Sequence, residues 1–308
     1  MEIYPSSFPA SDYDITVVFL RGIDFMDTGD FLGFNVSVGD DGIAWIRFTT
    51  PERLNGMTAS IKRDLVEIIT QCQMDNAVRV VVFTGSGRAF CAGDDLKGYG
   101  NANIDGKALT PPISHGHDNN LGTYNGLRTI SQKVNTAIRD LDKLTIAAIN
   151  GVAIQTGFSL ALSCDFRIAS RGARMGSATL RFGLLPDEGG QYLLLQTMGL
   201  PKTIDFLMRK RIVDADEAFK LGLVHEVVEP ENLEETTIAL AKELAEGPQV
   251  SMRLLKRSIY NAAEMTWERS LDEIAAKTAI SDHHPDSREG VSAFHEKRSP
   301  QFNRWLDE

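Results

Sequence analysis

Two glycine turns, each closing an apolar run, are the first places in this sequence where chemistry could be done. The first is Gly85-Ser86-Gly87-Arg88-Ala89-Phe90-Cys91-Ala92-Gly93-Asp94, and the second is Asn150-Gly151-Val152-Ala153-Ile154-Gln155-Thr156-Gly157. A strand end followed by such a turn and a helix start leaves backbone N–H groups unpaired and pointing outward. Two of them converging on one point would make an oxyanion hole, where losing one donor costs about 10²–10³ in rate. Either turn alone could equally be close packing in a parallel sheet. A third segment, Phe182-Gly183-Leu184-Leu185-Pro186-Asp187-Glu188-Gly189-Gly190, puts two carboxylates before an apolar helix. They could cap that helix. A carboxylate desolvated among Leu184, Leu185 and Pro186 could instead have its pKa raised toward a range useful for moving protons.

The elements that must position these turns can be read from periodicity. Ala44–Thr49, Val78–Thr84, Leu144–Asn150 and Phe166–Ala169 have the look of strands, and the β-branched run at 78–84 suits a strand buried in a parallel sheet. Ile61, Leu65, Ile68, Ile69 and Cys72 recur at helical spacing, and Phe158–Ser163 reads as a helix after the second turn. Beyond residue 200 strands nearly vanish, and helical stretches are expected around 201–210, 214–221, 231–246 and 248–277, the last broken near Asn261. The expected organisation is an N-terminal extension over 1–33, an α/β core over 34–200 and a helical region over 201–308. Residues 98–127 lack periodicity and form an insertion, either a lid or a loop of no consequence.

The 308 residues carry 42 acidic and 32 basic side chains, a formal charge of −10, with 43% hydrophobic residues. Collagen, coiled coil, disulfide scaffold and a wholly disordered chain are excluded by such a composition. The acidic balance argues against nonspecific binding to nucleic acid or anionic membranes. Three scattered cysteines, no apolar run of about 18 residues and an acidic N-terminus without a basic leader point to a soluble cytoplasmic protein.

Together the three segments resemble the crotonase superfamily of enoyl-CoA hydratases and isomerases. The matching pieces are PERLNGMT (51–58), GRAFCAGDDL (87–96), AAINGVAIQTGFSLALSCDFRIAS (147–170), FGLLPDEGG (182–190) and AFHEKRSPQF (293–302). The resemblance implies an α/β fold with a ββα spiral core and a C-terminal helical trimerisation region. It also implies an acyl-CoA thioester as substrate, no permanently bound cofactor or metal, and trimers or hexamers built as dimers of trimers. By motif position the oxyanion donors are the N–H groups of Asp94 and Thr156. Gln155, Phe158, Ser159 and Thr179 would line the acyl pocket, with His115 and Tyr124 reaching it from the insertion. CoA contacts would fall at Arg53, Leu54, Asn55 and Ala92, with Lys256, Phe294 and Lys297 near the phosphorylated ribose.

The departures from the family are as informative. Where typical hydratases carry their two glutamates this chain has Ser159 and Thr179, and an unactivated hydroxyl is no base near neutral pH. Asp187 matches the carboxylate of the family's double-bond isomerases, so an isomerase with Asp187 as sole acid/base is expected. Glu188 resembles the acidic position of its β-diketone hydrolases. Adjacent residues in a first helical turn diverge by about 100°, so only one of the two is expected to face the pocket. The alternatives are carbon–carbon or thioester hydrolysis, or an atypical hydratase, through Glu188 or a lid histidine. A non-catalytic acyl-CoA binder is a further one. The HGH of 115–117 has no companion ligands for a metal, and the stretch IKRDLVEIITQCQMD offers only Lys62 and Arg63 to an RNA.

Overall fold

The computed structural model describes residues 26–95, 100–113 and 118–306. Its centre is a seven-stranded sheet. Strands β1 (Gly29–Phe31), β2 (Phe34–Val38) and β3 (Ile43–Phe48) form an antiparallel edge. Helix α1 (Ala59–Met74) then leads to β4 (Val80–Gly85), parallel to β3 and buried along its whole length, as its apolar run predicts. The α1 N-terminus is capped by Thr58, whose hydroxyl accepts from the Ile61 N–H.

After β4 the chain repeats one move three times. A strand of the large sheet ends, the chain turns, and a three-residue strand enters a second sheet. β4 is followed by β5 (Ala89–Cys91), β6 (Leu144–Ile149) by β7 (Val152–Ile154), and β8 (Phe166–Ser170) by β9 (Arg174–Gly176). Between the first two pairs stand α2 (Asn120–Gly126), a π-helical turn at Leu127–Ser131 and α3 (Gln132–Asp140). Helix α4 (Thr156–Ser163) follows β7, and α5 (Gly190–Met198) follows the Asp187–Glu188 turn. This is the spiral of strand pairs and helices that the resemblance implies.

The short strands are where the sequence reading is corrected. β5 and β7 lie inside segments read as plain turns, because three residues are too few to show a period. The stretch from Asn120 onward, read as irregular, is helical. Gly29–Phe31, within the stretch read as an extension, pair with β2.

The remaining chain comprises α6 (Leu200–Met208), β10 (Ile212–Asp214), α7 (Ala215–Lys220), β11 (Glu226–Val228), α8 (Leu233–Glu246), α9 (Gln249–Ala262), α10 (Trp267–Asp282) and α11 (Pro285–Glu296). The expected break near Asn261 is the gap between α9 and α10, whereas α11 is an addition to the helices read from sequence. One face of the large sheet packs on α1, α3 and α4 through Leu65, Ile69, Val134 and Phe158. The other packs on α8 through Val80, Val82, Ile146, Ala241 and Leu244. Among the described residues no helix is long and apolar enough to cross a membrane.

Candidate functional site

The two glycine turns meet. The Met57 N–H donates to the Gly93 carbonyl (3.0 Å) and the Asp95 N–H to the Met57 carbonyl (3.1 Å). Successive backbone groups of an extended chain point opposite ways, so the Asp94 N–H is turned away from Met57. On the other turn Gln155 takes φ 51° and gives its own N–H to the Gly176 carbonyl (3.0 Å). Thr156 is then the first residue of α4, where N–H groups lack partners within the helix. The closeness of the turns depends on Gly157, since a Cβ there would stand 2.1 Å from the Cys91 carbonyl oxygen. A side-chain bond joins them as well: the Thr156 hydroxyl donates to Asp94 Oδ1 at 2.7 Å.

Both turns line a cavity of ≈ 120 Å³ whose wall also includes Thr179, Leu184, Leu185 and Asp187. Asp187 is half-buried there. Its turn is held from α3, where Gln132 Nε2 donates to the Asp187 carbonyl and Asn135 Nδ2 to the Glu188 carbonyl, both at 2.8 Å.

Glu188 is buried behind the same turns. Its side chain is only 2% exposed and its Oε1 meets Lys62 Nζ at 2.6 Å. The same ammonium reaches Asp94 Oδ1 at 2.7 Å and the Ser131 hydroxyl at 3.0 Å. Burial pushes the Glu188 carboxyl above the usual glutamate range; the Asp94 carboxylate adds to this, and the Lys62 ammonium opposes it without winning. Lys62 is itself held above its ordinary value: burial works against its charge, but two adjacent carboxylates outweigh that. The carboxyl driven upward is thus the buried one, next to the Asp94 and Lys62 side chains, while of the two acidic residues Asp187 lines this cavity. Both stand in the turn before α5 and not in its first helical turn, so the divergence expected from helix geometry does not apply to them.

Other assigned positions divide. Ala92, Gln155 and Thr179 line the cavity. The Ser177 hydroxyl donates to Gln155 Oε1 (2.8 Å) and lies 3.2 Å from the Thr179 hydroxyl, while the buried Gln155 Nε2 finds no hydrogen-bond partner among the described residues. Ser159 is buried inside α4. Phe158 is a core residue and does not line the cavity, because its ring stacks on Phe206 at 6.0 Å. Tyr124 does not close over the pocket: it is exposed on α2 and its hydroxyl accepts from Arg128. His115 lies outside the described residues.

On the side assigned to CoA, Asn55 proves to be a clamp. Its amide joins the Thr50 N–H to the Ser86 and Ala89 carbonyls, so both side-chain N–H groups are used within the fold. Leu54, with φ 55°, carries the chain into that clamp. Arg53 holds the Gly100 and Ala102 carbonyls. Lys256 is likewise used internally, on Asp165 Oδ2 (2.8 Å) and the Lys143 carbonyl (2.9 Å). Phe294 is 81% exposed on α11 and Lys297 caps that helix in a left-handed conformation, neither at this cavity. Cys91 is buried with its thiol pushed up to about 12, so it is a packing residue.

Lys62 was not among the residues chosen for chemistry. The signal was present: Lys62, Leu65, Ile69 and Cys72 fall on one face of α1, and a lysine buried on an apolar stripe needs internal acceptors or a carboxylate.

Comparison with known proteins places this arrangement. The enoyl-CoA hydratase/isomerase family profile matches residues 39–304. The chain is 33% identical over 272 residues to the 1,2-epoxyphenylacetyl-CoA isomerase of Escherichia coli (strain K12), covering 87% of this chain and 98% of that one. It is 29% identical over 264 residues to the crotonyl-CoA hydratase of Syntrophomonas wolfei, covering 85% and 95%. The crystal structure of an enoyl-CoA hydratase from Bacillus anthracis superposes with a TM-score of 0.78 at 29% identity, over 88% of this chain and 98% of the other. The chain therefore belongs to the enoyl-CoA hydratase/isomerase family, the crotonase superfamily, and is an acyl-CoA-processing enzyme of the crotonase type.

Proposed function

We propose that the enzyme is an enoyl-CoA isomerase in which Asp187 is the single acid/base. The observation that carries this reading is the presence of Asp187 in the wall of the cavity that the Asp94 and Thr156 turns share. The substrate thioester oxygen accepts from the N–H groups of Asp94 and Thr156. Asp187 takes a proton from the carbon next to the thioester, and the electron pair moves onto the thioester oxygen as an enolate. The same carboxyl then returns the proton two carbons further along as the double bond shifts, so no water is consumed. Ser159 and Thr179, at the positions of the hydratase glutamates, supply no second carboxylate. Arg53, Leu54 and Ala92 keep their assignment to the CoA end of the cavity.

The test is Asp187→Asn assayed by mass spectrometry and proton NMR on a panel of 2- and 3-enoyl-CoA thioesters. Turnover should fall about 10²–10⁴-fold, the usual worth of a general acid/base. Turnover equal to the wild type would reject the reading. The second reading, hydrolysis or atypical hydration through Glu188, draws on the upward push on that carboxyl. It requires ¹⁸O from labelled water in the product, which the isomerase does not incorporate.

Assembly as a trimer or a dimer of trimers belongs to the same proposal. It is supported by apolar side chains left exposed on the C-terminal helices, among them Ile204, Met208, Ile259 and Trp267. Sedimentation velocity at micromolar concentration should give three or six protomers.

A further inference from the structure

A buried polar cluster that the proton shuttle does not use, and that touches both catalytic turns, is the contact of Lys62 with Asp94, Glu188 and Ser131. An ammonium has three donors, and here each has its own acceptor, at 2.7, 2.6 and 3.0 Å. The three acceptors come from three separate stretches of chain: the loop after β5, the turn before α5 and the π-helical turn before α3. Lys62 itself is 2% exposed on α1. One of those stretches carries an oxyanion N–H, and another carries Asp187 one residue from the contact.

We propose that Lys62 is a positioning residue, which fixes the Asp94 oxyanion donor and the Asp187 turn relative to each other through its three hydrogen bonds. The inference rests on the oxyanion reading given above. Geometry supports it in two ways. Asp94 Oδ1 is shared between Lys62 and the Thr156 hydroxyl, so the ammonium reaches both N–H-bearing residues through one oxygen. Glu188 is locked by the same ammonium, and Asp187, its neighbour in the chain, lines the cavity. The cation also lies between two carboxylates that would otherwise leave uncompensated negative charge beside an enolate.

Removing one member of a buried ion pair can unfold a protein, whereas replacing both by neutral groups of similar volume is often tolerated. The variant to use is therefore Lys62→Met combined with Glu188→Gln, with Lys62→Gln/Glu188→Gln as a second version and circular dichroism to verify folding. The probe is crotonyl-CoA carrying ¹³C at the thioester carbon, bound at saturation and read by isotope-edited infrared spectroscopy. In the parent protein the carbonyl band should lie below its position in solution, because two N–H donors polarise the bond. In the paired variants it should retreat by at least half toward the solution position. For the active protein kcat should fall about 10²-fold, the scale of a 1 Å misplacement, with KM within about threefold. A parent band that is displaced and stays displaced in the variants overturns the role of Lys62 alone. A parent band at the solution position, with binding confirmed by dialysis, overturns the oxyanion reading together with it. Neither outcome depends on whether Asp187 is the proton carrier.

Discussion

Two buried lysines meet carboxylates on opposite faces of the same sheet, and they are held in opposite ways. Lys62, on α1, stands between Asp94 and Glu188 and its pKa is raised. Lys256, on α9, has one carboxylate, Asp165, and there burial wins, so its pKa is lowered. Asp165 is already saturated, because it accepts from the Tyr260 hydroxyl and from the Thr145 N–H and hydroxyl, all at 2.8 Å. The Asp94 side chain is 46% exposed, against 11% for Asp165. One cluster thus opens onto the cavity that the two glycine turns share, while the other lines a separate cavity of ≈ 330 Å³ with Leu144 and Met252 and fastens α9 to the strand ends. The contrast teaches that a buried ion pair is informative about function when one of its partners also reaches the turns that would hold the reacting group.

The largest expected effect separates the two directly. Lys62→Met and Lys256→Met each strand a buried carboxylate, and each should destabilise by about 3–5 kcal/mol in urea unfolding. Turnover per folded molecule should collapse only in Lys62→Met. Equal retention of activity in both would erase the distinction. Gly157→Ala sharpens it from the backbone. The new Cβ would stand 2.1 Å from the Cys91 carbonyl oxygen, so α4 must shift, at a cost of about 1–3 kcal/mol. Thr156 moves with it, and a loss of activity larger than the stability change explains should follow in steady-state assays at a temperature where the variant is folded.

Much of this contrast was legible in the residues. The two glycine turns, the Asp187–Glu188 pair and the strands at β3, β4, β6 and β8 all carry period or motif signals that survive in a single sequence. The second sheet does not, since β5, β7 and β9 have three residues each and owe their existence to pairing with one another. The division of labour between Asp187 and Glu188 was half legible. Helix geometry does not set their directions, because both stand in the turn before α5, and Glu188 is held there by a lysine 126 positions earlier in the chain. Lys256 and Asn55 mislead for a related reason. A cation or amide at a motif position says nothing about whether tertiary partners have already claimed its donors, and Asp165 and the Ser86 and Ala89 carbonyls had done so.

Alkaline titration separates the lysines by sign. The folded pKa of Lys256 lies below the unfolded value, so between the two the unfolded chain binds more protons and stability rises with pH. The folded pKa of Lys62 lies above it, so its contribution is complete below about 10.5 and is lost only as pH climbs through the raised value. The difference in unfolding free energy between wild type and Lys256→Met should therefore climb as pH approaches about 10.5, by less than about 1.4 kcal/mol per unit. The same difference for Lys62→Met should stay flat over that range. Matching slopes from chemical denaturation would show that the two environments are alike.

The smallest effect is the matched loss of one hydroxyl from each cluster. Tyr260→Phe removes the donor to Asp165 Oδ1 (2.8 Å), and Thr156→Val removes the donor to Asp94 Oδ1 (2.7 Å) while leaving its backbone N–H in place. Asp165 is shielded, so Tyr260→Phe should cost about 1–1.5 kcal/mol of stability and leave turnover unchanged. Asp94 is half open to water, which can replace the lost bond, so Thr156→Val should cost less than about 0.5 kcal/mol. Its consequence lies in geometry. With the hydroxyl gone the bond from the Thr156 side chain to Asp94 is lost, and the contact of Asp94 with Lys62 remains. Turnover should fall about tenfold, a fraction of the 10²–10³ that follows outright removal of an oxyanion donor. If Thr156→Val instead loses stability and keeps its rate, the Asp94 cluster is fastening in the manner of Asp165, and the contrast between the two lysines is one of exposure alone.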